Sequence, residues 1–111
     1  MDGYASQAKL FKALMHPARL AILDVLRPGE ACVCHMEAAL GYRQAYISQH
    51  LMVLRDAGLV EDRRDGWNIF YRTVKPEIFQ LMDSARLILG QRARKRVAAI
   101  VPACPCPHCS A

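Results

Sequence analysis

The sequence predicts a mainly α-helical domain that carries one small β-hairpin before its last helix. Two observations lead to this fold class. Apolar residues recur every three or four positions through residues 6–57 and again after residue 76, which is the period of an amphipathic helix. Between these regions, β-branched and aromatic residues flank Asp65-Gly66, a pattern typical of two strands joined by a two-residue turn.

Proline and glycine residues divide the first half of the chain into four helices. The first is predicted over residues 6–15, and the second begins at Pro17, since proline is favoured in the first turn of a helix. Pro28-Gly29 ends the second helix. A short third helix is predicted over residues 33–40, closed by Gly41, and a fourth over residues 44–57, closed by Gly58.

The second half contains the hairpin, a last helix and a tail. The strands are predicted over residues 59–64 and 67–73. Pro76 opens the last helix, which is predicted to reach residue 99 or 100. Pro102 and the prolines after it forbid a helix, so the chain divides into a folded domain over residues 1–101 and a flexible, cysteine-rich tail over residues 102–111.

Composition and charge indicate which partners the domain has. The 111 residues suffice for one modest core, and 15 Lys and Arg against 10 Asp and Glu give a net charge of +5. A basic excess suits a polyanionic partner, because phosphate contacts release counterions. We find neither a signal-peptide pattern nor a run of about 20 apolar residues, so we expect a cytoplasmic protein with no membrane partner.

The third helix, the tight turn at residues 41–43 and the fourth helix predict a helix-turn-helix, with the hairpin as its wing. On the fourth helix, Ile47, Leu51 and Leu54 form the stripe that faces the core. The opposite side carries short and amide side chains, which suit the edges of bases in a major groove. These candidate DNA contacts are Gln44, Ala45, Ser48 and Gln49; the same residues also fit a merely solvated helix face.

Arginines flank this predicted contact face. Arg43 at the start of the fourth helix and Arg55 near its end are expected to contact phosphates. Arg63 and Arg64 precede the hairpin turn, where they would reach a minor groove or its phosphates, although an arginine pair there also serves solubility alone. The sequence does not decide the roles of two nearby aromatic side chains. Tyr46 either lies against the sugar-phosphate backbone or covers the neighbouring helix, and Trp67 either packs on the sheet or stays exposed. His50 is expected to pack or to form a hydrogen bond rather than to contact bases.

Several segments together resemble the ArsR/SmtB family of metal-responsive repressors. They are FKALMHPARLAIL (residues 11–23), ACVCHM (31–36), ISQHLMVLR (47–55), AGLV (57–60) and the Tyr71-Arg72 pair at the end of the wing, so the resemblance covers about residues 6–90. It implies a winged-helix homodimer paired through the first and last helices. It also implies repression by binding double-stranded operator DNA and release on ligand binding. Two-fold pairing would bury the apolar faces of these helices and set two reading helices about one DNA turn apart.

Five cysteines in a cytoplasmic protein indicate metal ligands or redox sensors rather than structural disulfides. Cys32 and Cys34 lie at the start of the third helix, where their two thiolates can coordinate one ion. Thiolates select soft ions such as As(III), Cd(II) and Pb(II), with Zn(II) less favoured here. The resemblance also puts inducer ligands at this position. The alternative is that each cysteine is an ordinary small hydrophobic residue.

The chain departs from the family pattern in ways that point to its tail. Family members that sense arsenite from this helix have a third cysteine where this chain has Glu37. The last helix offers Asp83 but no histidine, so the second metal site of the family is not expected. The predicted replacement donors lie in the tail: Cys104, Cys106 and Cys109, with His108 as a possible extra ligand. Which of the sulfurs share an ion, and whether the site crosses the dimer, stays open.

The sequence therefore predicts a repressor that a thiophilic ion releases from operator DNA. The alternative on the same fold is a thiol-redox or persulfide sensor, in which two cysteines form a disulfide or polysulfide link. An enzyme is not predicted, because the chain has no Cys-x-x-Cys opening a helix after a strand, no His-Asp pair and no paired carboxylates.

Overall fold

The computed structural model describes residues 3–91 of the chain. This part contains the predicted helices and hairpin, and so confirms the winged helix-turn-helix. The elements are α1 (Gly3–Leu14), α2 (Pro17–Val25), β1 (Ala31–Cys32), α3 (Val33–Leu40), α4 (Gln44–Asp56), β2 (Val60–Asp65), β3 (Asn68–Thr73) and α5 (Glu77–Leu89). The predicted domain boundary at residues 101–102 lies outside the described residues.

Local side-chain chemistry sets the helix boundaries. The His16 Nδ1 atom accepts a hydrogen bond from the Ala18 backbone N–H at 3.0 Å and caps α2, with Pro17 as its first residue. Cys32 caps α3 in the same way, because its Sγ accepts the His35 backbone N–H at 3.2 Å. Gly41 closes α3 in the left-handed conformation, at φ 72°. The bounds predicted for α3 are confirmed.

The sheet has three strands, where the sequence predicts two. They are antiparallel in the order β1-β3-β2, and β1 pairs Ala31 with Tyr71 and Cys32 with Phe70. A two-residue strand is too short to show a period of its own, which is why the sequence pattern misses it. The hairpin turn also differs by one position: Asp65 pairs with Asn68, so the two turn residues are Gly66, at φ 62°, and Trp67.

Helix α5 ends ten or eleven residues earlier than predicted. Its last residue is Leu89, and Gly90 follows in the left-handed conformation at φ 70°. The Gln91 N–H donates to the Arg86 carbonyl at 2.9 Å, which is the hydrogen bond that closes a helix before such a glycine. The predicted end at residue 99 or 100 is therefore wrong, because Gly90 ends the helix well before Pro102.

The centre of the core lies between α2, α3 and α4, and α1, β2 and α5 add further apolar side chains to it. Ile47, Leu51 and Leu54, the predicted stripe of α4, have no exposed surface and pack with Ile22 and Met36. This packing fixes the rotation of α4 about its axis. The opposite side of α4 therefore faces solvent.

An ion-pair network docks α5 on α2, and sequence patterns do not reveal it. The Asp24 carboxylate accepts hydrogen bonds from Arg27 at 3.1 Å and from Arg86 of α5 at 2.6 Å. Asp83 contacts both arginines at 3.0 Å. Its hydrogen bond from Arg27 is the main reason that the pKa of Asp83 is lowered and that of Arg27 raised.

We expect Asp24→Asn to lower the free energy of unfolding by about 1–2 kcal/mol, because it removes the charge that two partly buried arginines share. Urea unfolding followed by circular dichroism measures the change. Glu61→Gln is the matched control, because it breaks an exposed pair with Arg72 and should cost less than about 0.5 kcal/mol. Equal losses in the two variants would show that the network does not hold α5.

Candidate nucleic-acid interface and cysteine site

Helix α4 presents a continuous polar face to solvent. Gln44, Ala45, Ser48 and Gln49 are all exposed, and they occupy its first two turns on the side away from the buried stripe. Side chains of this size and polarity can approach base edges. The structure therefore brings the four predicted base contacts together, and their role as DNA contacts stays a prediction.

The predicted phosphate contacts near α4 and the wing are exposed as well. Arg43 stands at the N-terminus of α4, and its side chain makes no capping hydrogen bond. Arg55 lies 3.9 Å from Asp62, a pair that ties α4 to β2. Arg64 on β2 is exposed and forms no ion pair with any residue in the range 3–91.

Arg63 differs from Arg64, although the two are neighbours in the sequence. Its Nε and Nη2 atoms each donate to the Glu30 carboxylate at 2.6 Å, and its guanidinium lies 4.8 Å from the centre of the Phe70 ring. The hydrogen bonds to Glu30 raise the pKa of Arg63. Successive side chains of a strand point to opposite faces, so Arg63 packs on the sheet while Arg64 faces away. Sequence reasoning missed the Glu30 partner.

Cys32 and Cys34 are joined by a disulfide, with their Cα atoms 5.3 Å apart. The Cys32 side chain is buried, with 1% of its surface exposed, and Cys34 is half-buried. The backbone thus brings the two sulfurs next to each other. Binding of a single ion by both sulfurs also requires that they lie close together. Among residues 3–91, no group of three or more His, Cys, Asp or Glu side chains could hold a metal ion. The other predicted ligands, Cys104, Cys106, His108 and Cys109, lie outside the described residues.

The cysteine pair is in contact with the wing. Cys32 and Phe70 are paired between β1 and β3, and with Cys34 they form a small cluster apart from the main core. The Arg63 guanidinium lies over the ring of Phe70, which belongs to this cluster. Cys32 therefore contacts both the start of α3 and β3, the central strand of the sheet.

His50 of α4 is buried in an aromatic cluster. Only 8% of its surface is exposed, and its ring centre lies 4.3 Å from that of His16 and 4.7 Å from that of Tyr46. Tyr46 also packs against Tyr42 at 5.1 Å. Neither nitrogen of His50 has a hydrogen-bond partner within residues 3–91. Burial lowers the pKa of His50, and the nearby His16 and Arg19 lower it further.

We expect acid to destabilise the protein through His50. Because the folded state holds the pKa of His50 below its ordinary value of 6.5, the unfolded chain takes up the proton first as the pH falls. The contribution of His50 to stability is complete above about pH 6.5 and is lost below it. His50→Phe keeps the ring packing and should flatten the fall in urea-unfolding free energy between pH 7.5 and 5.5. Some slope should persist, since burial also lowers the pKa of His35. An unchanged slope would contradict this assignment.

Known proteins resemble this chain over most of the described residues. The model of the family described as bacterial regulatory protein, arsR family, matches residues 16–62. The arsenic resistance transcriptional regulator ArsR1 of Pseudomonas putida is 45% identical over 76 residues, which are 68% of this chain and 59% of that relative. The crystal structure of the transcriptional repressor BigR from Xylella fastidiosa matches with a TM-score of 0.73 and 37% identity, over 82% of this chain and 91% of that chain.

A third similarity is to a homodimer. The solution structure of the homodimeric winged helix-turn-helix DNA-binding domain Mb0332 from Mycobacterium bovis, a possible ArsR-family regulator, matches with a TM-score of 0.68 and 30% identity. The match covers 83% of this chain and 90% of that one.

The fold and the exposed polar face of α4 define a winged helix-turn-helix transcriptional regulator. The chain belongs to the ArsR family, as the resemblance in its sequence predicts. No helix within residues 3–91 has the length and apolar character needed to span a bilayer.

Proposed function

We propose that this chain is a homodimeric repressor that binds operator DNA and is released when a thiophilic ion binds its cysteine thiolates. The observation that carries the proposal is the position of Cys32. Its sulfur caps α3, the first helix of the helix-turn-helix, and its backbone pairs with β3, the wing strand at the centre of the sheet. A ligand at this sulfur thus acts on two parts of the DNA-binding unit at once.

The dimer rests on apolar side chains that the monomer leaves exposed. On α1 and directly after its last residue these include Tyr4, Phe11 and Met15, and at the end of α5 they are Leu87, Ile88 and Leu89. Exposed apolar side chains clustered on two helices are typical of an association surface. Two-fold pairing through α1 and α5 would cover them, and the Mycobacterium bovis homodimer of the same fold supports this arrangement.

The ion is proposed from the chemistry of the donors. Two sulfurs one residue apart suit a soft ion such as As(III), Cd(II) or Pb(II), with Zn(II) less favoured. The arsenic resistance regulator of Pseudomonas putida supports arsenite among these. Cys32 and Cys34 supply two ligands, so a third would come from Cys104, Cys106, Cys109 or His108. Because thiols lose protons on ligation, the affinity for the ion should fall in acid.

The test is operator binding by the fully reduced chain. Fluorescence anisotropy with labelled DNA from upstream of the protein's own gene measures the dissociation constant without ion and with As(III), Cd(II), Pb(II) or Zn(II). We expect at least one of these ions to weaken binding by about 5- to 150-fold, which is the range of allosteric coupling. Sulfur-to-metal absorption reports ligation in the same samples. An unchanged dissociation constant with every ion would refute the ion as inducer.

The disulfide favours a second candidate, a repressor that responds to thiol oxidation. Formation of the Cys32–Cys34 bond removes two electrons and two protons from the two thiols, and a peroxide or a sulfane-sulfur donor would accept them. The same anisotropy assay separates the candidates. Release by hydrogen peroxide or a polysulfide in metal-free buffer supports this candidate, whereas release by an ion under strict reductant supports the first.

A further inference from the structure

A cleft opens between α1, the first turn of α2 and the end of α4. Its volume is about 560 Å³, within the range of about 300–1,000 Å³ that small-molecule sites occupy. Part of its lining is apolar and comes from Leu10 and Ala13 of α1 and from Val53 of α4. Ala13 is buried, whereas Leu10 and Val53 are half-buried. A ligand in the cleft would therefore cover apolar surface that the domain leaves partly open.

The same cleft is lined by three cations and one carboxylate. Lys9 and Lys12 come from α1, Arg19 comes from α2, and Asp56 is the last residue of α4. None of these four side chains forms an ion pair with another residue in the described part of the chain. The cleft thus carries an excess of positive charge that residues 3–91 do not match.

Arg19 has a polar atom that lacks a partner inside the fold. Its Nε atom is buried and donates to no acceptor among residues 3–91. A buried N–H group without an acceptor is unfavourable, because it has lost its hydrogen bond to water and gained none in return. A guanidinium presents its N–H donors in a fixed fork that matches the two oxygens of a carboxylate. An anionic head group at Arg19 would supply an acceptor that the fold does not.

The cleft lies apart from the apolar surface proposed for pairing and from the predicted base contacts. Ala13 comes two residues after Phe11, which is about 200° around a helix, so the cleft side of α1 faces away from the side that carries Tyr4 and Phe11. Pairing of two chains through that apolar side would leave the cleft open. On α4, Val53 lies about 14 Å along the axis from Gln44, at the opposite end of the helix from the predicted base contacts.

We propose that this cleft binds a small organic carboxylate with an apolar body. The carboxylate pairs with Arg19, Lys9 and Lys12 add to the attraction, and the apolar body, aliphatic or aromatic, lies against the apolar part of the lining. Asp56 and the C-terminal carbonyls of α4 bring negative charge to one side of the cleft. They disfavour a ligand with several negative charges, such as a nucleotide or the backbone of DNA. The proposal does not depend on operator binding.

The class of ligand is tested by isothermal titration of the reduced full-length chain with sodium octanoate and with sodium 2-naphthoate, which distinguish an aliphatic from an aromatic body. The neutral analogues 1-octanol and 2-naphthol lack the charge, and inorganic phosphate lacks the apolar body. We expect at least one carboxylate to bind about 10-fold or more tightly than its neutral analogue, because the analogue cannot form the charge-assisted hydrogen bonds to Arg19. The same carboxylate should bind more tightly than phosphate, which buries no apolar surface.

Substitutions at the cleft identify the cations that hold the carboxylate. Arg19→Gln should weaken binding of the carboxylate by about 10-fold or more and leave binding of the neutral analogue within about twofold. Arg72→Gln is the matched control and should bind as wild type does, because Arg72 is exposed on β3 and does not line the cleft. The double variant Lys9→Gln/Lys12→Gln changes only exposed side chains, so it keeps the test possible if Arg19→Gln does not fold. It should weaken carboxylate binding by about 3- to 10-fold.

The location of the ligand is read from the amide chemical shifts of isotope-labelled protein. On addition of the carboxylate, the shifts should change along α1 and at the end of α4. Changes confined to the exposed apolar end of α5 would place the ligand elsewhere and overturn the inference.

Other results would also overturn it. Neither carboxylate binding up to its solubility limit would refute the site. Equal affinity for the neutral analogue would show that the cations play no part, and equal affinity for phosphate would show that the apolar lining plays none. If Arg19→Gln weakens binding to operator DNA while neither carboxylate binds, Arg19 is a phosphate contact instead. The titrations contain no DNA, so failure of the proposed operator binding would leave their result unaffected.

Discussion

Replacing Cys32 and Cys34 together with serine is expected to abolish release from the operator while leaving operator binding within about twofold of wild type. In the proposed function, release depends on the coupling between the cysteine site and the DNA-binding unit, and coupling of this kind is about 1–3 kcal/mol, or 5- to 150-fold in affinity. A serine hydroxyl accepts the same His35 N–H that the Cys32 sulfur accepts, and serine is a favoured helix cap. The variant should therefore fold and bind DNA, but it has no thiols at this site for an ion or an oxidant.

A second variant, with Cys104, Cys106 and Cys109 replaced by serine, shows what the tail contributes. If the tail supplies the third ligand of an ion site, this variant should keep oxidant-driven release and lose ion-driven release. Release that survives the Cys32/Cys34 change would mean that the tail senses alone, and the assignment of the site to the start of α3 would be wrong. Anisotropy with and without inducer measures both variants under the same conditions.

The connection between the cysteine pair and the wing depends on contacts that no local pattern contains. Cys32 meets Phe70, 38 positions further along, through a strand of only two residues. Arg63 meets Glu30 across 33 positions. Helical period, capping residues and turn chemistry act over about four residues, so they predict α3, α4 and the hairpin well. The third strand and the role of Arg63 arise only when the chain folds back on itself.

The end of α5 shows a different limit of prediction from sequence. Gly90 is a possible stop signal in the sequence, but Pro102 is the residue that unambiguously forbids a helix, so the sequence alone predicts a helix that continues almost to Pro102. The structure shows that the glycine prevails, because it takes the left-handed conformation and the Gln91 N–H closes the last turn on Arg86. The exposed face of α4, in contrast, was predictable residue by residue, because Ile47, Leu51 and Leu54 alone determine which side of the helix faces the core.

Replacing Gln44 and Gln49 together with alanine is expected to remove most of the preference of the protein for its operator over unrelated DNA. An amide that pairs with an adenine edge contributes about 1–3 kcal/mol of discrimination, so losing both should reduce the specificity ratio by between about 30-fold and about 25,000-fold. Both side chains are exposed on α4 and far from the core packing, so the unfolding free energy should change by less than about 0.5 kcal/mol. Competition binding with operator and scrambled duplexes measures the ratio directly.

Gln80→Ala is the matched control, because this glutamine is exposed on α5 and outside the predicted contact face. The contrast between the variants distinguishes base reading from simple solvation of a polar helix face. Binding to unrelated DNA comes from phosphate contacts, here assigned to Arg43, Arg55 and Arg64, and it should persist in the double variant with its salt dependence unchanged. A specificity ratio that stays at the wild-type value would mean that Gln44 and Gln49 are only solvated, and that the sequence of the operator is read by the wing or through the shape of the DNA.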